Sequence, residues 1–316
     1  MEELRTIDLI IPVYKPDNKF KQLMERLLEQ TIHPNHIFIL HTLEEANSDS
    51  YQKLLDEFII KSSEECRIII IDILKAEFDH GGSRNFGASL SNADIIMFMT
   101  QDAVPCDKEL IRNMMEAFDD EAIGATYGRQ IAVPKANILE RYTRTFNYPP
   151  NSYVKSKKDL DKYGIKTYFC SNVCAAYRKD VYDELGGFVT KTIFNEDMIM
   201  AYYMIEHNYS IYYQALAKVY HSHEYTNIEQ LKRNFDLAVS QQQYSHIFTN
   251  VKSEKEGIKY LKSTIKYLMN RNKHIYIPEF LVQTCFKYMG YLLGKYYTLL
   301  PKDIIKKISM NPSYWD

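Results

Sequence analysis

The sequence predicts an α/β protein with a mostly parallel central sheet covered by helices, followed by a helical C-terminal extension. Three observations predict it. Short, almost wholly apolar runs alternate with stretches of helical spacing through the first hundred residues, as in a parallel sheet buried on both faces. One such run ends in a polar cluster, Met97-Phe98-Met99-Thr100-Gln101-Asp102, and the C-terminal strand edge is where open α/β sheets bind ligands. Beyond Thr226 the strand pattern stops and only helical spacing remains.

The first strand is read over residues 7–14, Ile-Asp-Leu-Ile-Ile-Pro-Val-Tyr, with Pro12 ending it because proline has no N–H for a ladder. Residues 19–30 place Phe20, Leu23, Leu27 and Leu28 on one helical face. Residues 36–40 form a second strand, residues 50–61 a second helix and residues 67–71 a third strand. A further helix takes in residues 87–91, and residues 95–99 make the fourth strand. A helix over residues 108–118 follows, with Asp107 in its N-cap place. That leaves Asp102 free for metal or ligand contact.

Residues 122–130 read as another strand, and residues 136–162 as a long irregular insert, which inside a compact domain points to function or mobility. Residues 168–177 resume as a strand, and a short helix from Arg178 stops at Gly186-Gly187. A largely buried helix over residues 198–207 precedes two short β segments, 211–213 and 217–220. Helices are then expected over residues 228–248, 257–270 and 278–299. The division is an α/β domain over residues 1–230 and a helical extension over residues 231–316.

Composition narrows the function classes. The chain has 316 residues, 46% hydrophobic and 25% charged, which is ordinary for a globular protein with a real core. A net charge of −2 argues against a general nucleic-acid binder. Cys66, Cys106, Cys170, Cys174 and Cys285 match no zinc spacing. The stretch before Ile7 is acidic and short, so no secretory leader is expected and a reducing cytoplasm is the expected compartment. No G-x-G-x-x-G follows the first strand and no P-loop pattern occurs, which disfavours dinucleotide oxidoreductases and P-loop enzymes.

Three further features carry chemistry. Phe78-Asp79-His80-Gly81-Gly82-Ser83-Arg84-Asn85 combines adjacent glycines, which permit close ligand approach, with an arginine able to fork onto phosphate. The bland alternative is a tight loop with Arg84 pairing an internal carboxylate. Phe194-Asn195-Glu196-Asp197 puts two acids at the start of a buried helix, one more than capping requires. His221-Ser222-His223 puts two imidazoles on the same side of a strand edge, a geometry suited to a metal, although a lone histidine is usually structural.

Taken in order, Ile11-Pro12-Val13-Tyr14, the His80 to Asn85 stretch, Thr100-Gln101-Asp102-Ala103, Asn195-Glu196-Asp197 and His221-Ser222-His223 resemble the inverting glycosyltransferases of family 2. Those enzymes have the GT-A nucleotide-sugar-binding fold, and within them the chain looks most like bacterial rhamnosyltransferases of cell-surface polysaccharides. The resemblance covers roughly residues 7–235. It implies that Pro12, Val13 and Tyr14 floor the nucleotide base, and that Arg84 faces base or diphosphate near His80 and Asn85. It implies that Gln101 and Asp102 stand at the D-x-D position, with Asp102 and His221 or His223 holding Mn2+ or Mg2+. Asp197 is then the general base, supported by Glu196.

Two departures from the family stand out. The acid motif is Gln101-Asp102-Ala103, one carboxylate short, which gives the histidine pair more weight. The second strand ends in His41-Thr42-Leu43-Glu44-Glu45, without the usual base-reading aspartate, a place Glu44 or Glu45 would take. The implied activity is transfer of a sugar, rhamnose from its dTDP donor above others, to a growing polysaccharide or lipid-linked glycan. The alternatives are another nucleotide-sugar (UDP-sugar) hexosyltransferase and a non-catalytic nucleotide-sugar-binding subunit. The lysine-bearing apolar tail is expected either at the cytoplasmic membrane face as a peripheral contact or packed on the main domain or a homodimer partner.

Overall fold

The computed structural model describes residues 5–44, 49–248 and 253–316. In chain order the first half runs β1 (Ile7–Val13), α1 (Asn18–Leu28), β2 (His36–Leu43), α2 (Asp49–Ile59), β3 (Arg67–Leu74), α3 (His80–Ser89), β4 (Ile95–Met99), β5 (Val104–Pro105), α4 (Leu110–Glu116) and β6 (Ile123–Ile131). It continues through α5 (Ile138–Asn147), β7 (Tyr153–Lys155), α6 (Leu160–Tyr163), β8 (Cys174–Arg178), α7 (Lys179–Glu184), α8 (Glu196–Glu206) and β9 (Ser210–Tyr220). Helices α9 (Asn227–Gln243), α10 (Ser245–Phe248), α11 (Ser253–Asn270), α12 (Ile277–Lys295) and α13 (Lys302–Ile308) complete it.

The strands join one sheet in the order β3-β2-β1-β4-β8-β6-β9-β5, with β7 on β9. Pairing is parallel from β3 through β2 and β1 to β4, and again between β6 and β9. β8 runs antiparallel between β4 and β6. Alternation along β1 builds both layers at once. Ile7, Leu9, Ile11 and Val13 pack with Phe20, Leu23 and Leu27 of α1. Ile10 faces the opposite layer, with Met200 and Met204 of α8. Chain order turns back at β1, with β2 on one side and β4 on the other, so loops after β1, β2 and β4 gather at one edge.

Several elements depart from the sequence reading. Pro12 lies inside β1, opposite Leu40, rather than ending the strand. Asp107 does not cap α4; its carboxylate accepts the Glu109 N–H at 3.0 Å in a turn, and the helix begins at Leu110. The 136–162 stretch is not irregular: Asn137 caps a ten-residue helix, α5, by accepting the Glu140 N–H at 2.8 Å. The strand expected over 168–177 is confined to β8, and the two β segments after 210 are one strand, β9, with a register shift beside Gly128. Gly81 and Gly82 form the first turn of α3 rather than a loop. A Cβ at Gly81 would stand 2.0 Å from the Val189 carbonyl oxygen, so the glycine permits close helix packing, not ligand approach.

The extension packs on the rest of the chain. α9 opens with a capping box, Thr226 and Glu229 each bonding the other's backbone N–H, and the 230/231 division falls inside it. α12 crosses α9 at Gly290 and Gly294, where a Cβ would lie 2.1 Å from the Leu231 carbonyl oxygen and 2.3 Å from that of Phe235. Gly290→Ala and Gly294→Ala should each lower unfolding stability by about 1–3 kcal/mol through overpacking. Denaturant melts followed by circular dichroism check this, against Gly257→Ala, whose added Cβ meets nothing within 4 Å.

Candidate active site

A cleft of about 630 Å³ opens at the C-terminal strand edge between the sheet, α5, α8, α9 and α12. His80, Arg84, Asp102, Glu196, Asp197, His221 and His223 all line it. They come from the starts of two helices, the loop after β4 and the end of β9.

The acid pair is built at the start of α8. Asn195 precedes it in a left-handed conformation, φ 68°, and makes no side-chain cap. Arg84 reaches Glu196 at 3.3 Å and also donates to the His80 carbonyl at 2.8 Å. Burial alone would push Glu196 up, but Arg84 and then His80 outweigh it and hold the carboxyl below its ordinary value. Asp197 goes the other way. Burial, then the neighbouring Glu196 charge, raise it to about 7. Its oxygens accept the Met198 N–H at 2.8 Å and the Asn172 N–H at 3.1 Å. Asn172 also donates from its carboxamide to Glu196 at 3.3 Å, while its oxygen accepts the Tyr177 hydroxyl at 2.8 Å. Two adjacent carboxyls thus differ in character: one is kept charged, the other is poised to exchange a proton near neutrality.

Across the cleft, Asp102 lies 3.5 Å from His221 Nε2 and 3.4 Å from His223 Nε2, and the three ligand atoms fall within 4.8 Å of one another. Burial lowers both imidazole pKa values, so the rings are neutral, as metal ligands must be. This donor set of one carboxylate and two imidazoles fits a divalent cation such as Mn2+. Ala103, at the third position of the acid motif, is fully buried in the core, where a carboxylate would be unpaired.

Other expected site residues lie elsewhere. Asn85 is not free for a ligand: its oxygen accepts the Phe188 N–H and Tyr182 hydroxyl, and its nitrogen donates to the Phe188 carbonyl. The Val13 side chain is buried in the core. Gln101 clamps Tyr14, accepting its N–H at 2.7 Å and donating to its carbonyl at 3.0 Å. Tyr14 is exposed beside Pro12, and its hydroxyl bonds Glu44. That bond, followed by Lys75 and Lys15, holds Glu44 down to about 2. Glu45 lies outside the described residues. Sequence spacing gives no sign of Gln130, Arg144, Asn172 or Lys287, which also line the cleft; their signal is long-range pairing alone.

A mixed sheet whose parallel part has its switch point at β1, with an acid-histidine cluster at the strand edge and a buried acid pair in the same cleft, defines a GT-A glycosyltransferase. The chain belongs to glycosyl transferase family 2, whose pattern residues 8–186 match. Over 98% of its length it is 39% identical to the O-antigen chain rhamnosyltransferase RfbN of Salmonella typhimurium, covering 96% of that protein. It is 36% identical to the O-antigen chain rhamnosyltransferase WbaN of Salmonella anatum, covering 98% of this chain and 95% of that one. The fold is similar to that of the mannosyltransferase PcManGT from Pyrobaculum calidifontis in complex with GDP-Man and Mn2+. There the TM-score is 0.62 and the identity 10%, over 94% of this chain and 88% of that one. S. aureus TarS 1-349 gives a TM-score of 0.55 at 11% identity, over 97% of this chain and 84% of that one.

Arg84→Met should leave Glu196 buried without its cation and lower stability by about 3–5 kcal/mol near neutral pH. The loss should shrink as pH falls and Glu196 takes up a proton, and adding Glu196→Gln should restore part of it. Urea melts at pH 5 and pH 8 measure both effects.

Proposed function

We propose that the chain transfers rhamnose, with inversion, from a dTDP-linked donor to a growing O-antigen-type polysaccharide or lipid-linked glycan. The observation that carries the chemistry is Asp197, raised to about 7 and lining the same cleft as Asp102, His221 and His223. The sugar and the acceptor class rest on the near-full-length similarity to the two Salmonella rhamnosyltransferases.

In this reading Asp197 takes the proton of the acceptor hydroxyl as that oxygen attacks the anomeric carbon. The Asn172 and Met198 N–H groups aim its carboxylate. Glu196, held charged by Arg84, raises the basicity of its neighbour. Asp102, His221 and His223 would hold the divalent cation, Mn2+ ahead of Mg2+ because of the imidazoles, and when bound it would offset charge on the leaving diphosphate. Tyr14 and Pro12, with Glu44 in place of the usual aspartate, would receive the base of the dTDP or UDP moiety.

The acceptor enters from the side of α5 and α12, where Glu140, Gln283 and Lys287 line the cleft. The same helix α12 exposes Leu281, Val282, Tyr288 and Met289. No described helix is long and apolar enough to cross a membrane, and peripheral contact with the inner membrane face is the role proposed for this surface. Val282→Glu with Met289→Glu should cut cosedimentation with anionic vesicles while leaving the chain folded. A dimer that dissociates in this variant would instead assign the surface to a second copy.

Asp197→Asn should lower nucleoside diphosphate release from dTDP-rhamnose by about 10²–10⁴-fold, the usual worth of a general base. In the wild type kcat/KM should rise with pH through about 7, because a raised carboxyl pKa leaves Asp197 protonated below that point. A profile flat from pH 5.5 to 8.5, or wild-type turnover in Asp197→Asn, would remove the base assignment.

A further inference from the structure

We propose that Gln130 is the positioning residue that holds His221 in the tautomer able to bind a cation, and that Arg144 of α5 locks Gln130 in place. The proposal rests on reading Asp102, His221 and His223 as a metal site. Gln130 stands near the end of β6, buried at 3% exposure. Its oxygen faces two nitrogens: an Arg144 guanidinium N–H and His221 Nδ1, the latter at 3.0 Å. Its nitrogen donates to the Ser171 hydroxyl at 3.1 Å.

The chemistry of these partners leaves one arrangement. A guanidinium only donates, so the Gln130 atom beside Arg144 must be the carbonyl oxygen. An oxygen that accepts requires His221 Nδ1 to carry the proton. A neutral imidazole protonated at Nδ1 has a lone pair at Nε2. That lone pair faces Asp102 at 3.5 Å and His223 Nε2 at 2.9 Å. Two bare ring nitrogens would repel at that distance, so His223 supplies the N–H in the metal-free protein. His221 is therefore held ready as a ligand, whereas His223 becomes one by moving its proton to Nδ1.

Without the Gln130 oxygen, His221 is free to carry its proton on Nε2, where it would block the cation. Arg144 makes the lock sensitive to the acceptor side of the cleft, since it also pairs with Glu140, a cleft-lining residue one helical turn away, at 2.8 Å. Partners of this kind orient metal-bound histidines, and their loss typically costs about 10–100-fold in metal affinity.

The test uses the full chain with 15N-labelled histidine and Mn2+ alone as the probe. Nitrogen chemical shifts of the metal-free wild type should show His221 protonated at Nδ1 and His223 at Nε2. Gln130→Met should mix the His221 tautomers and weaken Mn2+ binding, read from the free-ion EPR signal, by about 10-fold or more. Gln130→Glu, which keeps an accepting oxygen in the same place, should stay within about 3-fold of the wild type, a rescue that loss of packing would not give. Arg144→Met is the second variant should Gln130→Met not fold, and it should mix the tautomers as well. Unchanged tautomers in these variants, or equal loss in the Met and Glu variants, overturn the role of Gln130. A wild type that binds no Mn2+ overturns the metal reading itself, separately from the tautomer result.

Discussion

A guanidinium buried against a carboxylate sets the electrostatics of this cleft. Arg84 and Glu196 are both nearly inaccessible, and a lone charge at either position would be costly. Pairing keeps Glu196 ionised. An ionised Glu196 makes ionisation of the adjacent Asp197 harder, which is part of why that carboxyl titrates near neutrality. Arg84 sits on α3, and α3 is drawn close to the segment after α7 by Gly81 and by the Asn85 clamp on Phe188. The packing of α3 therefore bears, through Arg84 and Glu196, on the protonation of the residue assigned as base.

Neutral amides tie together the segments in and around the site. Gln101 grips the backbone of Tyr14, Asn85 that of Phe188, Asn172 spans both acids, and Gln130 links α5 to His221. A carboxamide has a donor and an acceptor on one small planar group, so it can satisfy two opposite partners at once. None adds charge to a cleft whose acids and cations already interact strongly.

The helical extension belongs to the same structure. Two glycines let α12 lie directly on the backbone of α9, and the approach brings Lys287 and Gln283 into the cleft. Lys287 is also packed near the Tyr260 ring of α11. That wall of the cleft is thus built jointly by α5, within the stretch that matches the family, and by α12, beyond it.

Local pattern was enough for much of this protein. Apolar runs such as Ile95–Met99 and the helical spacing between them identify a mostly parallel sheet, because burial on both faces leaves a strand no polar side. Asp102, Glu196, Asp197 and the histidine pair stand out for a related reason: charged or ligating groups interrupt apolar surface where packing alone has no use for them. Tertiary structure decided the rest. The helix at 138–147 does carry Ile138, Tyr142 and Phe146 at helical spacing, but polar residues between them mask it, and it is fixed by a cap and by packing on α11. Gly81-Gly82 looks like a loop because glycine is a poor helix former, yet at Gly81 the backbone of Val189 admits nothing larger. Asn85 and Gln130 are ordinary polar residues until pairing partners about 100 residues away, Phe188 and His221, fix which atom accepts and which donates. Such roles depend on contacts across the fold, and a one-dimensional pattern contains no distance between residues that far apart.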